Sequence, residues 1–144
     1  MGSFLKKASF GLALPFALFS LMAAHTPTTT TLSIGPANYV AAGTVVTLTA
    51  TVTHPGRVTA GTVDFCNADS TDCSPGSGLY GTAQLTSSGT ASILKVFGYG
   101  ANNIKAVFAP TVANAGSTSL TNFVTVATGA ITNTTLTAAG SPGN

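Results

Sequence analysis

Val45-Val46-Thr47-Leu48-Thr49-Ala50-Thr51-Val52-Thr53 decides the fold of this 144-residue chain. Val46, Leu48, Ala50 and Val52 alternate with threonines, and a period of two belongs to a strand with one face on a core and the other in water. Threonine suits the wet face. Its branched β-carbon fits extended backbone, and its hydroxyl hydrates the surface without adding charge.

The same reading extends outward in both directions. Residues 62–66, with Val63 and Phe65 inward, follow the turn-forming His54-Pro55-Gly56. Residues 80–86, with Ala83 and Leu85 on one face, and residues 90–96 are joined by Ser87-Ser88-Gly89, a short turn that predicts a hairpin. Gly98 and Gly100 bracket Tyr99 ahead of residues 104–108, where Ile104, Ala106 and Phe108 share a face. A strand over residues 30–34 opens the set and one over residues 118–128 closes it. About seven strands with no helical period between them predict an all-β antiparallel β-sandwich. A parallel α/β fold would need crossover helices, and no stretch remains to make them.

Residues 1–24 read as a signal peptide helix: Lys6 and Lys7 precede an apolar run from Ala8 to Ala24 that Ser9, Gly11, Pro15 and Ser20 interrupt. The run is shorter than the roughly 20 apolar residues of a membrane span and contains Pro15, so a retained N-terminal anchor is the alternative rather than the preferred reading. Cleavage is expected after Ala24, with Thr26 as the alternative, and the mature protein is expected to be secreted or at the cell surface. Beyond the leader, Arg57, Lys95 and Lys105 balance Asp64, Asp69 and Asp72, so the mature chain carries no net charge. With no basic run and no interleaving of basic and aromatic residues, the reading expects no nucleic-acid partner and no membrane partner after cleavage. Only 6% of the residues are charged, but the alternating apolar segments argue against disorder.

An ordered set of pieces then carries a resemblance: Thr29-Thr30-Thr31-Leu32, the stretch from Gly43 to Val52, Gly61-Thr62-Val63-Asp64-Phe65, Gly81-Thr82-Ala83-Gln84-Leu85 with Gly89-Thr90-Ala91, and Lys105-Ala106-Val107-Phe108. The chain resembles bacterial immunoglobulin-like repeat domains, which occur in tandem on secreted and surface proteins. The resemblance implies an immunoglobulin-like sandwich over residues 32–127, after a Thr-rich linker at 25–31. It also implies a structural or adhesive module rather than an enzyme, with neighbouring repeats of the same chain as its first partners. Residues 128–144 fit that habit as a linker and the start of a truncated second repeat, because Thr134-Thr135-Leu136-Thr137 echoes Thr30-Thr31-Leu32-Ser33 at a spacing of 104 residues from Leu32 to Leu136. Asn133-Thr134-Thr135 matches a glycosylation pattern but reads as linker. One departure stands out: a longer, cysteine-bracketed loop separates the Gly-Thr-Val strand from the Gly-Thr-Ala segment.

Cys66 and Cys73 form an even pair in a chain read as exported, which predicts a disulfide. The loop they close holds Asn67, Asp69, Ser70 and Asp72, and loops on a stable scaffold are where recognition concentrates, so these four are the candidate ligand-contact residues. Their oxygens also invite a calcium reading. The stretch lacks the acidic order and distant glutamate of a calcium-binding loop, so solvated turn residues are the preferred reading and no metal is expected. His25 and His54 have no visible base, nucleophile or metal-ligand companion, and no catalytic residue or cofactor is expected. Tyr80, Phe97 and Tyr99 invite a sugar-stacking reading, but aromatic residues near strand ends more often close a core, and the chain has no tryptophan. The leading expectation is a non-enzymatic spacer or adhesion module. The alternative is a carbohydrate-binding accessory to a secreted polysaccharide-acting enzyme, and a surface glycan or protein is the further partner either would meet.

Overall fold

A computed structural model describes residues 24–128, so the signal-peptide reading of residues 1–23 and the second-repeat reading of residues 129–144 lie outside the described residues. Nine strands and no helix occur among the described residues. They are β1 (Thr29–Gly35), β2 (Tyr39–Ala41), β3 (Val45–Thr53), β4 (Thr62–Asn67), β5 (Leu79–Gln84), β6 (Thr90–Val96), β7 (Gly100–Phe108), β8 (Ser117–Thr118) and β9 (Asn122–Ala127). A small sheet has the order β1-β3-β6, and a large sheet has the order β2-β9-β7-β4-β5 with β8 on β7. The two face each other over one core, an all-β arrangement compatible with a β-sandwich.

The alternation of β3 maps onto this core, with Val46, Leu48, Ala50 and Val52 all fully buried and the residues between them at least partly exposed. Ala91 joins them from β6, while Val63, Phe65, Ile104, Ala106, Phe108, Val124 and Val126 meet them from the large sheet. Burying a side chain the size of Leu48 stabilises the fold by about 1.5–3 kcal/mol.

Four expectations are corrected. The turn at residues 87–89 keeps hairpin-like hydrogen bonds, from Thr86 N to Thr90 O at 2.8 Å and from Gly89 N to Thr86 O at 2.9 Å. Even so, β5 and β6 belong to different sheets. Leu85 and Ala91 are both buried in the core, one from each side of the turn, which splays the two strands apart. Gly89 makes the crossing at φ +79°, where a β-carbon would come within 3.1 Å of the carbonyl oxygens of Val52 and Val58. The sheets are not wholly antiparallel either, because β2 runs parallel to β9, pairing Tyr39 with Thr125 and Ala41 with Ala127. Three residues are too short to display a period, so β2 left no mark in the sequence.

The predicted last strand is broken into β8 and β9 by residues 119–121. Buried Ser119 makes the break by exchanging two bonds with one residue: its N–H donates to Ala106 O at 2.8 Å, and its Oγ accepts from Ala106 N at 2.9 Å. Finally, the Thr-rich linker is largely part of the fold. β1 begins at Thr29, Thr26 exchanges backbone bonds with Ala113 and Ala115 at 2.9 Å each, and the hydroxyls of Thr28 and Thr30 both lie 2.7 Å from Ser117 Oγ.

The chain enters and leaves at opposite poles. β1 starts where Thr29 pairs with Thr53, at the far end of β3. β9 ends at Ala127 beside Ala41, only a tight turn from Val45 at the near end of β3. The length of β3 puts about 27 Å between these poles.

Candidate functional site

The cysteine loop grows from the exit pole of β4. Phe65 points into the core, and Cys66, one residue on, points to the outer face, directly opposite Lys105 of β7. Cys66 is nevertheless fully buried, because residues 67–78 fold back over that face. The disulfide Cys66–Cys73 fastens them there, with the Cα atoms 5.5 Å apart. Backbone bonds hold the loop at both ends: Asn67 N donates to Gly78 O at 2.7 Å and Ala68 N to Asn103 O at 3.0 Å.

Each of the four candidate contact residues is engaged within the protein. Asn67 Oδ1 accepts from Asp69 N at 3.0 Å, a side-chain-built turn. Asp69 accepts from Asn103 Nδ2, which lies 3.2 and 3.1 Å from its two oxygens. The Ser70 hydroxyl donates to Ser77 O, and Ser70 O accepts from Lys105 Nζ at 3.3 Å. Asp72 Oδ1 accepts from the Ser77 hydroxyl, from Ser74 Oγ at 2.8 Å and from Ser74 N at 3.3 Å. The Ser77 hydroxyl first, then the two Ser74 donors, hold the Asp72 carboxyl below the usual carboxylate range. The loop is thus a cap held largely by its own polar contacts. Among the described residues no three His, Cys, Asp or Glu side chains gather into a set that could hold a metal ion.

The aromatic residues divide. β5 carries a bulge at Tyr80, since Phe65 pairs with Gly81 but Cys66 pairs with Leu79. The extra residue turns the Tyr80 ring onto Phe97, edge to face at 5.2 Å, with Lys95 Nζ 5.6 Å from the Tyr80 ring centre. Burial, then the Asp69 charge, raises the Tyr80 phenol above its ordinary range. Tyr99 stands exposed on its turn. His54 accepts Gly56 N on Nδ1 at 2.7 Å and closes its own turn, while His25 is exposed far from the loop.

Two features escaped the sequence reading. Tyr39 and Phe123, 65% and 41% exposed, meet edge to face at 6.2 Å on the outer face of the large sheet. Their 84-residue separation hid the pairing, and neither lies in a conspicuous motif. A groove of about 450 Å³ also lies between β1 and the β8–β9 break, lined by Thr29, Thr30, Thr31, Leu32, Leu120 and Asn122 among others, with no charged side chain.

No family model, curated protein or solved structure matches this chain.

Proposed function

We propose that this chain is a non-enzymatic, immunoglobulin-like module of a secreted or cell-surface protein, and that it acts as a spacer joined end to end with further repeats. The observation that carries this reading is the placement of the two ends of the described sandwich, Thr29 and Ala127. A module entered at one pole and left at the other extends an array by its full length, whereas a module with both ends at one pole would fold the array back. Strand order supports the immunoglobulin-like part. With β1, β3 and β6 as A, B and E, and β4, β7 and β9 as C, F and G, the small sheet reads A-B-E and the large sheet reads G-F-C. The Cys66–Cys73 disulfide supports an oxidising compartment outside the cytoplasm. In such an array, any weak contact made by one module is multiplied through effective concentration.

Reading the coding DNA beyond Asn144 tests the proposal. In-frame copies repeating at the 104-residue spacing of Leu32 and Leu136 are the expected result. An adjoining catalytic domain with no further copy would replace the spacer with an accessory to that enzyme.

A further inference from the structure

The outer face of the large sheet carries a transverse row of side chains that the spacer reading leaves without a task. Asp69, on the cysteine loop, is bound by Asn103 of β7. Asn103 is the cross-strand partner of Phe123 on β9, and the Phe123 ring meets Tyr39 of β2. Carboxylate, amide, phenyl and phenol therefore follow one another across neighbouring elements. With strands about 4.8 Å apart, the row runs about 10 Å from Asn103 to Tyr39, the reach of about two sugar rings.

We propose that this row binds a neutral polysaccharide. A sugar ring presents a face of C–H bonds that packs on an aromatic ring, and a rim of hydroxyls that both donate and accept hydrogen bonds. The row offers both at once. Tyr39 and Phe123 supply aromatic surface that stays in water, unlike Tyr80 and Phe97, which close on each other. Asp69 uses one amide nitrogen for both of its oxygens and keeps lone pairs for ligand hydroxyls, while Asn103 Oδ1 is a further acceptor. Charge selects against ionic ligands. Lys105 Nζ is turned to Ser70 O and Lys95 Nζ lies over the Tyr80 ring, while the Asp69 carboxylate would repel an anionic polymer. A cation would find no second acid in the row. The cysteine loop enters this site through a single residue, Asp69, and serves chiefly to pin that carboxylate beside Asn103. The site does not depend on the chain being one of many repeats.

Affinity electrophoresis of the mature chain in gels containing soluble cellulose, mannan, xylan or alginate tests the proposal. At least one neutral polymer should retard the native protein, and alginate should not. Tyr39→Ala and Phe123→Ala should each weaken that retardation about tenfold. Leu94→Ala, equally exposed but on the opposite sheet, should leave it unchanged. Thermal melts matching the native protein establish that the variants are folded, and amide shifts in an NMR titration with the retarding oligosaccharide should centre on residues 39, 69, 103 and 123. Absence of retardation by every neutral polymer, retardation by alginate alone, or equal retardation of the native and aromatic variants would each overturn the proposal. None of these outcomes bears on the downstream DNA, so the spacer reading stands or falls separately.

Discussion

β3 and the loop at residues 67–78 are both rich in hydroxyl side chains, yet they use them in opposite ways. In β3 the backbone is satisfied by β1 on one side and β6 on the other, so the hydroxyls of Thr47, Thr49 and Thr51 are left for the outer surface. In the loop no strand pairs with the chain along its length, and Ser70, Ser74 and Ser77 spend their hydroxyls on Asp72 and on a loop carbonyl. Regular backbone frees its side chains, whereas irregular backbone conscripts them. The stability of β3 should therefore reside in its buried alternate residues, and that of the loop in its crosslink and polar contacts.

The largest effect should come from the core. Leu48→Ala is expected to destabilise the protein by about 3 kcal/mol in chemical denaturation, since a fully buried leucine leaves a cavity that the facing sheet cannot fill. Replacing Cys66 and Cys73 together by alanine should cost about 2.5 kcal/mol, the chain entropy of a loop this short, with the far-UV spectrum preserved. A cost above that of Leu48→Ala would reverse the comparison and make the loop part of the folding core. Gly78→Ala should cost about 1–2 kcal/mol. Gly78 sits at φ +151°, and a β-carbon there would come within 2.7 Å of Ser70 and of Asp72 O. An Ala variant as stable as the native protein would mean that the loop gives way more readily than its hydrogen bonds suggest.

The smallest effect is a matter of pH. Because the folded Asp72 carboxyl titrates below the usual carboxylate range, its contribution is present at and above that range and is lost as pH falls through the lower folded value. Ser77→Ala removes the leading donor and should move the Asp72 midpoint upward in an NMR titration. An unmoved midpoint would assign the depression to Ser74 instead.

Legibility in the sequence followed the same division. The alternation in β3, β4 and β7 was plain, because a strand with one wet face writes its period into consecutive residues. β2 was invisible at three residues, and its parallel partner lies more than 80 residues away. The crossing at residues 87–89 looked like a hairpin because the turn is one locally; what separates β5 from β6 is the burial of Leu85 and Ala91 in a core built by distant strands. The disulfide follows from an even pair of cysteines, and the place of Asn67, Asp69, Ser70 and Asp72 between them is plain from their order in the chain. Their partners were not legible. Asn103 and Lys105 reach the loop only because β7 lies beside β4, and Tyr39 and Phe123 are neighbours only because β2 lies beside β9.

The parallel pairing of β2 with β9 has a consequence for a protein under tension. A pull on the two chain ends draws β1 and β2 toward one pole and β9 toward the other, each along its own axis. The hydrogen bonds between β2 and β9 then lie across the direction of load and must break together in shear, rather than one after another as when a hairpin is unzipped. This short pairing, the faintest element in the sequence, thus shares such a load with the seven-residue pairing of β1 and β3, through which the pull enters.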